Sequence, residues 1–347
     1  MVLCERFNGT RAFLLVSHSR DRSEVSLSRP ALSFSGPLLV TGATGFIGAC
    51  LTRRLVKEGA EVHILTRQHS NKWRIHDIIH DVWEHHVDLR ESKRLQKIIS
   101  EIKPKVIFHC ATYGGYPFQQ ETDKIVETNI IGTVNLVNAL SAIDYECFIN
   151  TGSSSEYGLK SKPMSEDDLL EALTAYGASK AAATLFCQAV ARSTQRPIIT
   201  LRLFSPYGPY EEPTRLIPYV IKCCLSGENP QLTSGEQTRD FVFIEDVIDL
   251  YLRVAASPPH PGEIVNVGSG NQWSVREVVE KIMALCGAKV QPLWGATPSR
   301  PFETTVWVAD ISKAKAILNW VPQTSLDEGL SRTITWHRSW ISEHKVI

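Results

Sequence analysis

From Pro37 onward, short apolar runs alternate with longer segments in which apolar residues recur every three or four positions. Short apolar runs are typical of buried strands, and the longer spacing is typical of amphipathic helices. The predicted strands are Leu38–Thr41, Val62–Leu65, His86–Asp88, Val106–Cys110, Cys147–Thr151 and Ile198–Leu203. Helices are predicted around Phe46–Lys57, Lys93–Ile102, Val126–Ser141 and Ala178–Ala191. The alternation predicts an α/β fold, a doubly wound parallel sheet covered by helices on both faces.

The pattern changes after Ser205, where proline and glycine become frequent and the elements shorten. Helices are predicted near Leu216–Leu225, Glu245–Ala256 and Val275–Leu285. Such a segment is typical of a smaller C-terminal lobe that binds substrate over the sheet. We therefore expect a core of residues 37–205 plus roughly 237–272, and a lobe of roughly 206–236 plus 273–347. Residues 1–36 lack the pattern and are expected to be a disordered or non-native extension.

The composition narrows the class of partner. The chain has 347 residues, 43% of them hydrophobic, with 37 basic and 37 acidic side chains. This balance gives no reason to expect nucleic acid or a membrane surface as partner. The apolar run Ala12–Val16 is too short to span a bilayer. The eight cysteines are scattered without zinc-site spacing, so a reduced cytoplasmic protein is expected.

A glycine-rich turn joins the first predicted strand to the first predicted helix. It reads Thr41-Gly-Ala-Thr-Gly-Phe-Ile-Gly48. The first glycine permits a tight turn, the second lets the backbone approach a pyrophosphate, and the third lets helix pack closely on strand. The unpaired N–H groups at the helix start favour phosphate. The turn thus predicts a Rossmann-type dinucleotide site, and the residues expected to bind the cofactor there are Gly42, Thr44, Gly45, Phe46, Ile47 and Gly48.

The end of the second strand indicates which dinucleotide is bound. NAD sites usually place an acidic residue there to hold the ribose 2′-hydroxyl. This chain has Thr66-Arg67 instead, and the Arg67 guanidinium can bind a 2′-phosphate through two hydrogen bonds. NADP is therefore favoured over NAD, although an NAD site without the acid is the alternative. Asp88 is placed to meet the adenine, and Ala111 and Thr112 follow the fourth strand toward the cofactor.

The candidate catalytic groups are Ser153, Tyr176 and Lys180. Tyr176 and Lys180 are four residues apart, so on a helix they share one face. Positive charge from a lysine and an oxidised nicotinamide favours the phenolate, which makes the tyrosine a usable base. Ser153, at the end of the fifth strand, can hydrogen-bond the same substrate oxygen. Alone, such a tyrosine–lysine pair would more often be a surface pair; behind a dinucleotide turn it indicates an active site.

Five ordered motifs resemble one enzyme family. They are the glycine turn, Gly152-Ser-Ser-Ser-Glu-Tyr-Gly158, Tyr176 to Lys180, Leu203-Phe-Ser-Pro-Tyr-Gly-Pro209 and Arg239-Asp-Phe241. Together they resemble the extended short-chain dehydrogenase/reductases, the NAD-dependent epimerase/dehydratase family that acts on nucleotide sugars. The similarity covers roughly Pro37 to Trp336. It implies a nucleotide-diphosphate sugar substrate, hydride transfer at hexose C4 and a homodimer.

The resemblance also assigns residues. It implies Ser153, Tyr176 and Lys180 as the catalytic set. The further cofactor residues expected are Arg67, Asp88, Leu89, Ala111 and Asn129, with Tyr176 and Lys180 also contacting the cofactor. The substrate residues expected are Ser154, Ser205, Arg215, Arg239 and Arg300. No metal is expected, because His76 and His80, four residues apart, have no further ligand arranged with them.

Two departures from the family pattern guide the choice of activity. Where 4,6-dehydratases have Asp-Glu after the catalytic hydroxyl, this chain has Ser154-Ser155, so elimination of water is disfavoured. Ser205 replaces an asparagine common before the Tyr-Gly-Pro turn, which leaves that substrate contact open. We expect a nucleotide-sugar 4-epimerase. The alternatives are an NADPH-dependent reductase of 4-keto-6-deoxysugars, a dehydratase, and a non-catalytic dinucleotide sensor.

Overall fold

A computed structural model describes residues 34–299, 302 and 304–344. Its strands are β1 (Leu38–Thr41), β2 (Val62–Thr66), β3 (Trp83–His86), β4 (Val106–His109), β5 (Cys147–Ser153), β6 (Ile198–Leu203), β7 (Ser205–Tyr207), β8 (Thr238–Arg239), β9 (Phe241–Phe243), β10 (Ile264–Val267) and β11 (Trp273–Ser274). Its α-helices are α1 (Phe46–Lys57), α2 (Ser92–Ile102), α3 (Thr122–Val126), α4 (Gly132–Leu140), α5 (Ala175–Thr194), α6 (Leu216–Ser226), α7 (Ile244–Ala256), α8 (Val275–Cys286), α9 (Ser312–Leu318) and α10 (Leu326–His344). Short 3₁₀ turns occupy His76–Asp81 and Ser154–Glu156, and a π turn occupies Glu127–Ile131.

Seven of these strands form one parallel sheet in the order β10-β6-β5-β4-β1-β2-β3. Leu38 pairs with Val62 on one side and with Val106 on the other. From β1 the chain continues outward through β2 and β3 on one side of the sheet, and then crosses back to β4 on the other side of β1. The strand order therefore reverses between β1 and β4. In such sheets ligands bind outside the carboxyl ends of the strands at this reversal. The doubly wound fold predicted from the sequence is confirmed.

The sheet buries both of its faces, as its continuous apolar strands require. On one face, Leu38 and Val40 pack with Leu51 of α1 and Leu250 of α7. On the other face, Leu39 belongs to a second cluster with the apolar residues of α2, α4 and α5, namely Leu95, Ile99, Leu136, Leu140, Cys187 and Ala191. Successive residues of one strand thus serve opposite cores, which fixes the register of the strand.

The third strand differs from its prediction. It spans Trp83–His86 rather than His86–Asp88, so Asp88 lies two residues beyond the strand end. β3 is the edge strand, and its pattern of exposed and half-buried residues carries no apolar run. The predicted strand was therefore placed too far toward the C-terminus. A seventh strand, β10, was also not predicted, although its residues fall within the predicted core.

The helix predicted over Val126–Ser141 begins earlier and is interrupted. It starts at Thr122 and contains the π turn Glu127–Ile131 before α4. The catalytic helix also begins earlier than predicted, at Ala175, because the Thr174 hydroxyl accepts a hydrogen bond from the Gly177 N–H and caps the helix. Tyr176 thus lies in the first turn of α5.

The C-terminal elements pack on one another: α6 contacts α8, and α10 contacts both. The exact division into two lobes stays a prediction. Residues 1–33 lie outside the described residues, so the predicted extension is untested there. Phe34 packs against the core, and Ser35 donates a hydrogen bond to Glu146. Among the helices that the structure describes, there is none whose length and apolarity would suffice to cross a bilayer.

A buried ion pair joins the end of β5 to β6. Glu156 is fully buried and accepts a hydrogen bond of 2.8 Å from Arg202 Nε. Its other carboxylate oxygen accepts from the Ser153 N–H at 2.8 Å and from the Thr184 hydroxyl of α5 at 3.1 Å. Arg202 also donates to the Tyr157 hydroxyl. One carboxylate therefore links two strands and helix α5 around Ser153.

We predict that Arg202→Met lowers the free energy of unfolding by about 3–5 kcal/mol, because Glu156 is left buried without its counter-charge. Urea denaturation measures this change. Lys97→Met is the matched control, since Lys97 and Glu101 form an exposed pair on α2, and it should cost less than about 0.5 kcal/mol. A loss below about 1 kcal/mol for Arg202→Met would show that the pair is not needed.

Candidate active site

The glycine turn lies where the strand order of the sheet reverses. Two of its glycine positions, Gly42 and Gly48, have no space for a side chain. Gly42 has a φ of +70°, and a Cβ there would lie 2.5 Å from the Ala111 backbone nitrogen. A Cβ on Gly48 would lie 2.3 Å from the Gly42 carbonyl oxygen. Helix α1 begins directly after Gly45, without a side-chain cap on its first N–H groups. This backbone cradle at a helix N-terminus fits a dinucleotide pyrophosphate.

The other predicted cofactor residues follow the neighbouring strand ends. Arg67 is exposed just after β2, and Leu89 is buried after β3 with its carbonyl oxygen accepting from Asn135 Nδ2. Asp88 lines a cavity of about 580 Å³ together with Arg90, Glu91, Glu127 and Ile131. The structure thus brings the cofactor candidates to one edge of the sheet, where their contacts stay predictions.

Asp88 is tightly held. Arg90 donates to both of its carboxylate oxygens at 3.0 Å and also bonds Glu127. Burial raises the pKa of Asp88, but the hydrogen bonds and charge of Arg90 outweigh it, and the net pKa lies below its ordinary value. Asp88 is therefore an anionic acceptor, which suits hydrogen-bond donors of an adenosine ribose or base.

A buried histidine connects the glycine turn to α4. His109 Nδ1 is 2.7 Å from the Thr41 hydroxyl, and Nε2 is 2.9 Å from the Thr133 hydroxyl. Thr133 donates its own proton to the Asn129 carbonyl, so it accepts from His109 Nε2–H. Burial, followed by the charge of Lys180, lowers the pKa of His109 to about 3. The imidazole is therefore neutral, and its role is to hold these elements together.

The π turn presents Asn129 with all its hydrogen bonds made. Asn129 Nδ2 donates to the Tyr113 carbonyl at 2.8 Å and to the Ser179 hydroxyl at 2.9 Å. Its Oδ1 accepts from the Tyr113 N–H and from the Thr112 hydroxyl. Ser179 in turn donates to the Tyr176 carbonyl. Asn129 thus fixes the segment after β4 against the first turn of α5, and π turns are frequent at functional sites.

Tyr176 is half-buried, and its phenol lies among groups that can share its proton. Burial raises the pKa of its phenol above the ordinary value, while hydrogen bonding with Ser153 and Thr112 and the charge of Arg215 act in the opposite direction. Ser153 Oγ accepts from the Ser155 N–H, so its own hydroxyl proton remains available for donation. The hydroxyls of Tyr176 and Ser153 are therefore close enough to share a hydrogen bond, and their role as an acid/base pair stays a prediction.

Lys180 is 3% exposed on the same helix. Burial lowers the pKa of its ammonium group, and the negative charge of Glu156 opposes that change. The carboxylate beneath Ser153 is thus also the main counter-charge of Lys180. Glu156 serves both catalytic candidates from one buried position.

The predicted substrate residues divide into two groups. Ser154 accepts a hydrogen bond of 3.1 Å from Trp307 Nε1, and the Arg239 guanidinium lies 5.5 Å from the Trp307 ring centroid. Ser205 begins β7, where its N–H donates to the Asp240 carbonyl. Arg300 lies outside the described residues.

Arg215 belongs to the other group, beside Tyr176. Its Nε lies 3.7 Å from Glu211 Oε1, and the second oxygen of Glu211 is buried without a hydrogen-bond partner. Burial raises the pKa of Glu211 to about 8, although Arg215 acts to lower it. Arg74 connects this segment to the glycine turn, since it donates to the carbonyls of Tyr210 and Thr44.

Three residues of the candidate site were not predicted from the sequence: Glu156, Glu211 and Trp307. Glu156 carried a usable signal, because a single carboxylate stands in a run of serines at the end of a buried strand. Thr112, which the sequence places after the fourth strand toward the cofactor, is the third residue after β4. Glu211 and Trp307 reach the site through packing between distant segments, which no local pattern encodes. Among residues 34–299, 302 and 304–344, there is no group of three histidines, cysteines or carboxylates that could hold a metal ion.

Residues 38–268 match the model of the NAD dependent epimerase/dehydratase family. The UDP-glucuronate 4-epimerase of Thermodesulfobacterium geofontis is 30% identical over 87% of this chain and 96% of its own length. The dTDP-D-glucose 4,6-dehydratase of Mus musculus is 27% identical over 90% of this chain and 91% of its own. The crystal structure of the Bacillus cereus UDP-glucuronic acid 4-epimerase with UDP-glucuronic acid and NAD superimposes with a TM-score of 0.79 at 28% identity, covering 88% of this chain and 99% of that one.

The resemblance of the five motifs, the reversal of strand order at the glycine turn and these matches all agree. The chain belongs to the NAD-dependent epimerase/dehydratase family of extended short-chain dehydrogenase/reductases, whose members here include UDP-sugar epimerases.

Proposed function

We propose that this protein is an NAD(P)-dependent 4-epimerase of a UDP-linked hexose or hexuronic acid. The observation that carries the proposal is the convergence of Ser153 and Thr112 on the half-buried Tyr176, with Arg215 beside them. That set supplies a proton acceptor for a sugar hydroxyl and a cation for the adjoining diphosphate. Relatives that act on UDP-sugars support the choice of nucleotide. A homodimer stays a prediction.

The mechanism follows from the side chains. A dinucleotide held at the glycine turn Gly42–Gly48 would supply a hydride acceptor for C4 and, in its oxidised form, a positive charge that favours the tyrosine phenolate. Tyr176 Oη takes the proton of the C4 hydroxyl, and the Ser153 hydroxyl donates to the same oxygen. Lys180 keeps a positive charge on the protein side of the phenol, balanced by Glu156. The 4-keto sugar then rotates so that its other face receives the hydride, and Tyr176 returns the proton to the oxygen of the inverted alcohol.

Dehydration is disfavoured by the same geometry. Removing water across C5 and C6 needs an acid and a base beside the sugar, and this chain has Ser154 and Ser155 where dehydratases have them. Glu156, the carboxylate of this segment, is fully buried and bound to Arg202. Its carboxylate is therefore engaged in the protein interior. The reductase remains the second candidate, because the exposed Arg67 favours a phosphorylated dinucleotide, as a reductase would use.

We predict that the wild-type protein inverts C4 of UDP-glucose or UDP-glucuronic acid without net consumption of added dinucleotide, which NMR of the sugar follows. Tyr176→Phe should reduce turnover by ~10²–10⁴-fold and leave dinucleotide affinity unchanged, because only the proton carrier is lost. Tyr145→Phe is the matched control, because Tyr145 precedes β5 and so lies at the amino ends of the strands, far from the proposed site. Its turnover should equal that of the wild type. Near-normal turnover of Tyr176→Phe would reject the assignment. Stoichiometric NADPH loss on a 4-keto-6-deoxy sugar, without inversion, would favour the reductase.

We predict that NADP binds more tightly than NAD and that Arg67→Ala removes this preference. Losing the charged hydrogen bonds to a 2′-phosphate should weaken NADP binding by about tenfold or more and leave NAD binding unchanged. Calorimetric titration with both dinucleotides measures the ratio, and Arg94→Ala on α2 serves as the control for a lost surface charge. Equal weakening of both dinucleotides would contradict the role of Arg67.

We predict that the KM for the nucleotide sugar rises roughly fivefold between about pH 7 and about pH 9. Glu211 has its pKa raised to about 8, so it is neutral at lower pH and anionic above it. The anion holds Arg215 and competes with the substrate diphosphate. Arg74 and Glu212 affect the pKa of Glu211 less than Arg215 does. In Glu211→Gln the rise should disappear with kcat retained. An unchanged rise in this variant would show that another group titrates.

A further inference from the structure

A cleft of about 450 Å³ has none of the predicted catalytic, cofactor or substrate residues among the described residues of its lining. Four aromatic side chains form its walls: Trp73, Tyr210, Trp336 and Trp340. Its polar lining comes from His76, Asp77, Ser339 and Glu343. We call it the aromatic pocket. Its volume falls within the range of small-molecule sites, in which apolar walls and a few placed polar groups are the rule.

The walls are braced against one another. Trp336 and Trp340, one turn apart on α10, stack with centroids 5.3 Å apart and planes 20° from parallel. Tyr210 tilts against Trp336 at 4.8 Å, and Trp73 meets Trp340 edge-on at 5.4 Å. Each ring thus contacts two others, since Trp73 and Tyr210 are also in contact. Such mutual packing preorganises flat apolar faces around the cleft.

Tyr210 is held in an unusual backbone conformation. Its φ is +70°, in the left-handed region that a bulky side chain seldom adopts. The Arg74 guanidinium donates to its carbonyl oxygen, and Arg53 lies over its ring. Strained residues of this kind are retained where the surroundings impose them, and they cluster at ligand sites. The strain supports a binding role for this wall of the pocket.

The charges of the pocket indicate an uncharged ligand. Arg53 lies 4.5 Å from the Tyr210 ring centroid and Arg74 lies 4.4 Å from that of Trp73, so both rings already have a cation on one face. Asp77 pairs with Arg53, with Nη1–Oδ1 at 2.6 Å, and Glu212 pairs with Arg74 at 2.9 Å. A further cation would meet the two carboxylates of the lining but would also approach the two guanidinium groups. An anion would approach carboxylates and find both arginines already paired.

We infer that the aromatic pocket binds the uncharged pyranose ring of a saccharide, at a place separate from the proposed nucleotide-sugar site. The apolar C–H face of a pyranose fits a flat aromatic ring. Its hydroxyls need donors and acceptors at the edge of that ring, and His76, Asp77, Ser339 and Glu343 supply them. This inference does not depend on the reaction catalysed at Tyr176.

The test uses methyl α-D-glucopyranoside as the probe, with the full chain and excess NAD and UDP present to occupy the proposed active site. Saturation-transfer NMR and tryptophan fluorescence should show saturable binding with a millimolar dissociation constant. Trp340→Ala should weaken binding at least about tenfold. Trp83→Ala, which removes an exposed tryptophan of β3 outside the pocket, should bind as the wild type does.

A second variant keeps the test valid if Trp340→Ala fails to fold. Ser339→Arg places bulk and charge at the exposed rim without removing an aromatic wall, and it should abolish binding with an unchanged melting temperature. Absence of saturable binding in the wild type would overturn the inference. So would binding that survives Ser339→Arg, binding that rising UDP displaces, or tighter binding of tetramethylammonium than of the glucoside.

Discussion

The carboxylate of Glu156 is the group on which the arrangement of the candidate catalytic residues depends. It accepts from the Ser153 backbone, forms an ion pair with Arg202 and balances the charge of Lys180. A buried anion is tolerated only where such partners surround it. Because the buried carboxylate needs these partners, it also fixes the positions of Ser153 and Lys180 relative to each other. The stability of this region and its proposed chemistry therefore both depend on Glu156.

A second set of contacts joins the cofactor side of the site to the catalytic helix. His109 connects the end of β1 to Thr133, and Asn129 connects the segment after β4 to Ser179 of α5. All of these are neutral groups with matched donors and acceptors. These hydrogen bonds consequently join the glycine turn, the π turn and the N-terminal part of α5. Such preorganisation suits the proposed placement of a sugar between a dinucleotide and Tyr176.

How far the sequence determines this picture depends on the range of each interaction. β1 and α1 have the predicted bounds because their apolar residues form local patterns. The edge strand β3 was misplaced because it carries no apolar run, and the π turn was missed because nothing in its composition marks it. Ser153, Tyr176 and Lys180 follow from motif spacing. The Trp307 contact to Ser154 joins residues 153 positions apart, so only the packed structure could show it.

The central claim is that hydride leaves C4 of the sugar and returns to the same carbon within one binding event. It is tested most directly with UDP-glucose deuterated at C4, incubated with the protein and a pool of unlabelled dinucleotide. The account predicts an inverted product that retains deuterium at C4, with no deuterium in the free dinucleotide. Loss of the label to the dinucleotide pool, or inversion with hydrogen from solvent at C4, would contradict it.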